Sequence, residues 1–176
     1  MQQLPDLSRI LHHIRWALVG AALRAYAPER LTQDVDIIIH ARDEQVARAA
    51  FTAAGYRIGN PFPISRFTAH PQDETDYSID VLVLSEPWLN EALAQPVYDC
   101  AGFPVLARQF LILMKLQAGR AQDIADITRL LRRTDYTERS IARTTVATYA
   151  PDLIDDFDAL VVLTDLEFGT GSSATT

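Results

Sequence analysis

The sequence predicts an α+β protein, in which a small mixed β-sheet with helices on one face is followed by a C-terminal helical bundle. Apolar, β-branched segments lie in the first part of the chain, and from residue 106 onward apolar residues recur at helical spacing. Strands followed by helices along one chain are typical of α+β architectures. We therefore expect a core over residues 1–105, a helical cap over 106–168 and a disordered tail of small, polar residues over 169–176.

The first elements alternate between helix and strand. Asp6 is a candidate N-cap for a short amphipathic helix over 7–13. An apolar strand over 16–20 follows, and a short alanine-rich helix over 21–27 separates it from a second strand over 35–39. Both strands consist mainly of apolar residues, which indicates that they are buried.

The middle of the chain supplies one helix and three further strands. Residues 43–54 have the apolar spacing of a helix, and Gly55 is placed to end it. Two strands with weak patterning follow over 56–58 and 66–69. The strand over 77–84 is predicted more strongly, because its inward and outward positions alternate with period two.

The last third of the chain is predicted to be helical. It begins after a short strand over 103–106. Helical spacing then recurs in four segments, which are residues 106–118, 121–133, 137–149 and 151–166. Gly119 ends the first of them, and Pro151 stands where a first-turn proline is tolerated.

Composition narrows the classes of function. The 176 residues include 16 basic and 23 acidic side chains, a formal net charge of −7, which disfavours non-specific binding to nucleic acid or anionic lipid. Cys100 is the only cysteine, so an intrachain disulfide and a cysteine zinc cluster are both excluded. The sequence shows neither a signal peptide nor an apolar stretch of roughly 20 residues, so we expect a soluble, cytoplasmic protein without a membrane partner.

Two acidic residues are the strongest indication of function. Asp34 and Asp36 stand one residue apart at the entry to an apolar strand, and side chains at this spacing lie on the same face. Neighbouring carboxylates at the end of a buried strand repel each other unless a cation lies between them. The pair therefore predicts a metal site, and the strand–glycine segment that ends at Gly20 predicts an adjoining phosphate site.

The spacing of these residues resembles the signature of the DNA polymerase β-like nucleotidyltransferase superfamily. The matching residues are Gly20-Ala21, twelve further positions, Asp34-Val35-Asp36-Ile37, and Ile79-Asp80-Val81 on a later strand. A second stretch, Lys115 to Ile127, is similar to the Lys…Arg-x-x-Asp-x-x-Asp segment of minimal nucleotidyltransferases, including the abortive-infection toxins of type IV toxin–antitoxin pairs. The resemblance covers about residues 10–133. It departs at Ala21, where the family often has serine.

The resemblance implies a metal-dependent transfer of a nucleoside monophosphate from ATP or another NTP to an acceptor hydroxyl. Asp34, Asp36 and Asp80 are the implied catalytic Mg²⁺ ligands. Gly20, Ala21 and Lys115 are the implied nucleotide-binding residues, and Asp123 is a further catalytic candidate that orients Lys115 or the acceptor. The acceptor is left open among tRNA, protein and a small molecule. An antitoxin is an implied partner, and apolar faces in the C-terminal third offer a surface for a homodimer.

Other interpretations of these residues remain open at the level of sequence. Asp80 is also suited to pair with a nearby arginine such as Arg66, and Lys115 to extend from an apolar helix into solvent. Asp123 is also suited to complement a helix dipole, and Asp126 to lie on a solvated face or pair with Arg129 or Arg133. A catalytically degenerate binding or assembly module and an unrelated metal-dependent phosphohydrolase are the alternative functions.

Overall fold

A computed structural model describes residues 5–19, 35–59, 66–72 and 77–169. Gly20, Ala21, Asp34, the predicted helix over 21–27 and the predicted tail from residue 170 lie outside the described residues. The described residues form two compact units, one that ends at Leu106 and one that begins at Ala107.

The first unit contains the sheet. Its helices are α1 (Leu7–Ile10), α2 (Glu44–Ala53) and α3 (Leu89–Ala94), with a 3-10 turn at Ala41–Asp43 before α2. Its strands are β1 (Trp16–Leu18), β2 (Val35–His40), β3 (Arg57–Gly59), β4 (Arg66–His70), β5 (Ile79–Leu84), β6 (Val97–Tyr98) and β7 (Pro104–Val105). Asp6 caps α1 as predicted, because its Oδ1 accepts a hydrogen bond from the backbone N–H of Arg9 at 3.0 Å.

These seven strands form one mixed sheet in the order β3-β4-β5-β2-β1-β7-β6. The central pair, β2 and β5, is parallel, whereas β1 runs antiparallel to β2 and β4 runs antiparallel to β5. The outer strand β7 runs parallel to β1, with Leu18 opposite Val105. The predicted α+β class with a mixed sheet is thereby confirmed.

One face of the sheet is apolar, and the other carries polar residues together with the buried Ile38 of β2. The apolar face includes Ile37 of β2, Val81 of β5 and Phe67 of β4, and all three side chains are fully buried. Helix α2 packs on this face, because the Phe51 and Phe67 rings meet edge to face with centroids 6.1 Å apart. Asp36 lies on the opposite face, together with the other even-numbered residues of β2.

The second unit consists of four helices: α4 (Arg108–Ala118), α5 (Ala121–Arg132), α6 (Tyr136–Tyr149) and α7 (Ile154–Phe168), with a 3-10 turn at Pro151–Leu153. Helix α4 packs against α5 and α6, and α7 packs against both α5 and α6. Gly119 ends α4 in the left-handed conformation at φ 62°, as a C-cap glycine does. A capping box of Asp135 and Glu138 begins α6.

Several predicted boundaries shift and two elements are new. Helix α1 ends at Ile10 instead of residue 13, and the strand predicted over 103–106 is reduced to Pro104–Val105. Helix α3 and strand β6 were not predicted, because six and two residues are too few to show a period. None of the helices within the described ranges is long and apolar enough to cross a membrane.

Candidate active site

Asp36 and Asp80 lie side by side on the polar face of the sheet. They are register partners on the parallel strands β2 and β5, and both side chains are half-buried. Neighbouring strands are about 4.8 Å apart, and paired residues point to the same face. The structure therefore brings together two of the three acids that the sequence singled out. The third, Asp34, lies outside the described residues.

The Asp80 carboxylate is held by two side chains of β4. Thr68, its register partner on that strand, donates a hydrogen bond from Oγ1 to Asp80 Oδ1 at 2.6 Å. Arg66 Nη1 lies 3.9 Å from Oδ2, within ion-pair range but beyond hydrogen-bond distance. The pairing with Arg66 that the sequence left open is thus present, and the Asp80 side chain remains 25% exposed.

A second polar row lies one pleat away on the same face. His70 on β4 lies 3.3 Å from the Ser78 hydroxyl through its Nδ1. Gly59 on β3 leaves room for this ring, because a Cβ there would stand 2.9 Å from His70 Nε2. The polar face therefore contains hydroxyl, imidazole and guanidinium groups near the carboxylate pair.

The donor set at this position fits a hard cation. Mg²⁺ is commonly bound by one or two carboxylates together with waters and substrate phosphates, and Asp36 and Asp80 offer two such carboxylates on adjacent strands. Among the described residues, no group of three or more His, Cys, Asp or Glu side chains is placed to hold a metal ion. The roles of Asp34, Asp36 and Asp80 as metal ligands stay predictions.

The helical unit contains a buried ionic cluster, which we define as Lys115, Asp123 and Asp126. Lys115 Nζ donates to Asp123 Oδ1 at 3.2 Å and to Asp126 Oδ2 at 2.8 Å. Asp123 is 2% exposed, Asp126 is 0% exposed and Lys115 is 8% exposed. The solvent-directed alternative for Lys115 is therefore wrong, and so is a solvated position for Asp126.

Two arginines extend the buried ionic cluster to the surface. Arg120 Nε donates to Asp123 Oδ2 at 2.6 Å, and Arg129 Nη1 donates to Asp126 Oδ1 at 3.1 Å, the partner that the sequence left open for Asp126. The contact between Asp123 and Lys115 agrees with the orienting role that the resemblance implied, although its catalytic part stays a prediction.

Electrostatics keep the Asp123 carboxylate charged despite its burial. Burial acts to raise the pKa of this carboxyl, but hydrogen bonds from Arg120 and Lys115 outweigh that effect, so the pKa lies below its usual value. The same bond with Asp123 raises the pKa of Arg120. Asp123 is therefore an ion-pair acceptor at neutral pH and is unsuited to donate a proton.

Sequence reasoning missed Thr68. For Asp126, the pairing with Arg129 is confirmed and the solvated position is wrong. Thr68 lies in a weakly patterned strand, and only the register of β4 against β5 shows that it faces Asp80. The charge of Asp126 favoured the surface, whereas its spacing of three from Asp123 places both residues on one side of a helix. That spacing was the available signal.

Comparison with solved structures finds chains that resemble this one at low sequence identity. The solution structure of the antibiotic-resistance factor ANT(2'')-Ia has a TM-score of 0.54 at 13% identity, and the match covers 87% of this chain and 95% of that chain. An antigenic nucleotidyltransferase-like protein from Paracoccidioides brasiliensis has a TM-score of 0.49 at 15% identity, covering 87% and 89%. The crystal structure of ANT(2'')-Ia in complex with adenylyl-2''-tobramycin has a TM-score of 0.49 at 15% identity, covering 92% and 96%.

Neither a protein-family model nor a curated protein matches the chain. At 13% identity the similarity to ANT(2'')-Ia shows a shared fold, so the predicted nucleotidyltransferase-type sheet is confirmed at that level. Closeness to the type IV toxins stays a prediction.

Proposed function

We propose that this protein is a Mg²⁺-dependent nucleotidyltransferase, which transfers a nucleoside monophosphate from ATP or another NTP to an acceptor hydroxyl. The observation that supports it most is the register pairing of Asp36 with Asp80 on the polar face of a nucleotidyltransferase-type sheet. Two carboxylates placed in this way repel each other, and a hard cation bound by both would relieve that repulsion. A fold supports many functions, so the proposal rests on this pair.

The proposed reaction is an in-line displacement at the α-phosphorus. The acceptor oxygen forms a bond to phosphorus while the bond to the bridging oxygen breaks, and pyrophosphate leaves with the electron pair. Bound Mg²⁺ would supply positive charge at the attacking and leaving oxygens. Asp34 and Asp36 would hold the nucleotide side of the site, and Asp80 would receive the acceptor proton directly or through water.

The triphosphate requires further donors. Gly20 and Ala21 are proposed to offer backbone N–H groups, and Lys115 to offer positive charge. In the helical unit both carboxylates of the buried ionic cluster bind Lys115 Nζ. Asp123 would then act as a positioning residue for Lys115, and its effect on the reaction would pass through that ammonium group.

The acceptor is left to experiment among three classes: tRNA, a protein hydroxyl and a small molecule such as an aminoglycoside. The Lys115–Ile127 stretch favours a toxin with an antitoxin partner as the biological setting, acting in the cytoplasm, where nucleoside triphosphates and Mg²⁺ are available. A second copy is a further proposed partner, because Val162, Leu163 and Leu166 of α7 are exposed apolar residues.

The test is incubation of the protein and a cell extract with each α-labelled nucleoside triphosphate, with and without Mg²⁺. Mg²⁺-dependent label on RNA, protein or a small molecule supports the proposal, and Asp36→Asn should abolish it. Asp156→Asn is the matched control, because it changes an exposed acid on α7 in the same way. Loss of the triphosphate with no labelled acceptor would instead indicate a phosphohydrolase.

A non-enzymatic binding or assembly module is the second candidate. It is favoured by the contacts of Asp80 with Thr68 and Arg66, which partly satisfy that carboxylate without a metal ion. This module would bind nucleotide equally well with or without Mg²⁺, or would not bind it. Nucleotide titration of the wild type and of Asp36→Asn distinguishes it from the enzyme, whose Mg²⁺-dependent binding the substitution should remove.

A further inference from the structure

We propose that Thr68 is a positioning residue that limits Asp80 to one metal-binding oxygen and thereby favours Mg²⁺ over Ca²⁺. The inference rests on the proposed function, because it takes Asp80 to be a metal ligand. It adds a residue that the sequence did not indicate, and it concerns selectivity between ions.

The hydrogen bond between the two side chains is short and protected. Thr68 is 7% exposed, and its Oγ1 lies 2.6 Å from Asp80 Oδ1, a distance typical of an O–H donor on a charged carboxylate. The two residues are register partners, so backbone pairing of β4 with β5 fixes their separation. The bond is therefore a built feature of the sheet.

This bond also sets the direction of the carboxylate. Strands β4 and β2 lie on opposite sides of β5, so a bond to Thr68 draws Oδ1 away from Asp36. Among the described residues, Oδ2 accepts no hydrogen bond, and Arg66 approaches it only to 3.9 Å. A cation beside Asp36 would therefore meet Oδ2, and chelation by both oxygens would require the carboxylate to turn out of the bond.

One-oxygen ligation discriminates between the two ions. Mg²⁺ needs nearly ideal octahedral geometry at about 2.0–2.1 Å and keeps several waters, whereas Ca²⁺ takes about 6–8 oxygens and accepts carboxylates that chelate with both atoms. A carboxylate fixed by Thr68 offers a metal ion only one oxygen. This arrangement suits Mg²⁺, whereas it removes one of the oxygen ligands that Ca²⁺ usually has. Outer partners of metal ligands typically change affinity by about 10–100-fold.

The experiment is a titration of the full chain with Mn²⁺, followed through the EPR signal of the free ion, with Mg²⁺ and Ca²⁺ as competitors. Thr68→Val removes the hydroxyl and keeps the shape, and we expect it to lower the preference for Mg²⁺ over Ca²⁺ by roughly 10-fold or more. Thr68→Ser keeps the donor and should restore the preference. Thr164→Val is the matched control, because Thr164 is another buried threonine, in the helical unit, whose hydroxyl bonds a backbone carbonyl.

The outcomes separate this inference from the proposed function. Suppose that Asp36→Asn and Asp80→Asn remove Mn²⁺ binding, whereas Thr68→Val has the same preference for Mg²⁺ over Ca²⁺ as the wild type. The role of Thr68 is then refuted and the metal site stands. If the wild type shows no Mn²⁺ bound at Asp36 and Asp80, the role of Thr68 and the proposed function both fail. If Thr68→Val unfolds, Thr68→Ser and Thr68→Ala decide, since a purely structural role would lower stability without changing the ratio of the two affinities.

Discussion

Asp36 and Asp80 are direct neighbours across the parallel strands β2 and β5, although 44 positions separate them in the sequence. Like charges placed opposite each other in a sheet oppose its pairing. Thr68 and Arg66 offset part of this repulsion on the Asp80 side. The sheet therefore carries a charge arrangement that a bound cation would stabilise.

Neutralising one of the two acids should remove the stabilisation that a bound metal ion gives the protein. We expect Asp36→Asn to change the free energy of unfolding without Mg²⁺ by less than about 1 kcal/mol, since relief of the cross-strand repulsion offsets the loss of other interactions of this half-buried carboxylate. The rise in melting temperature on adding Mg²⁺ with a non-hydrolysable NTP analogue should disappear, as measured by calorimetry. The control Asp156→Asn should keep that rise. An undiminished rise in Asp36→Asn would contradict the role of the pair.

The buried ionic cluster should show strong coupling. Lys115→Met leaves Asp123 and Asp126 without their shared donor, and we expect a loss of about 3 kcal/mol or more in the free energy of unfolding. The double variant Lys115→Met/Asp126→Leu should lose less than the sum of the single changes, by about 1–3 kcal/mol in urea denaturation.

A comparison pair is available on the surface of the same unit. Arg143 and Asp158 also form a close pair, at 2.7 Å, but both side chains are about half exposed. Their double-mutant cycle should give much weaker coupling, and the coupling should weaken further in salt. Equal coupling energies for the two pairs would mean that burial does not strengthen the interactions of the buried ionic cluster.

The helical unit should lose stability in acid through Asp123. The pKa of this carboxyl is lower in the folded state than in the unfolded chain, so its contribution is complete above the unfolded pKa of about 3.9 and is lost as the pH falls through the folded pKa. Chemical denaturation at a series of pH values below 5 should show this decline. Asp123→Asn should flatten that part of the curve, and an unchanged slope would refute the assignment.

Gly59 should be required for the position of His70. A methyl group at Gly59 would stand 2.9 Å from His70 Nε2, so Gly59→Ala should displace the imidazole from Ser78. In a His70→Ala background the same change should instead stabilise the protein by about 0.5–1 kcal/mol, because alanine lowers the entropy of the unfolded chain. Opposite signs in the two backgrounds, measured by thermal denaturation, are the expected result. Equal changes in stability in the two backgrounds would show that a methyl group at Gly59 does not clash with His70.

Local patterns predicted most of the secondary structure. The six-residue strands β2 and β5 and helices α2 and α4–α7 follow from apolar spacing, and the same period-two argument placed Asp36 on one face of its strand. Helix α3 was missed although Leu89, Ala92 and Leu93 are buried, because it spans fewer than two turns.

Register and helix packing could not be predicted in the same way. Nothing in the sequence near Phe67 or Val81 specifies which residues of β4 face β5, and that choice alone puts Thr68 on Asp80. Likewise, Lys115 and Asp126 meet only because α4 and α5 pack together. These contacts depend on how segments fit in three dimensions, which periodicity does not encode.

The pairing of Leu18 with Val105 has a consequence for synthesis on the ribosome. Strand β1 emerges early but acquires its neighbour β7 only after nearly ninety further residues have been translated. Until then one edge of β1 exposes unpaired backbone groups, which invites association with other nascent chains. A chain cut short before Val105 would keep that edge open permanently.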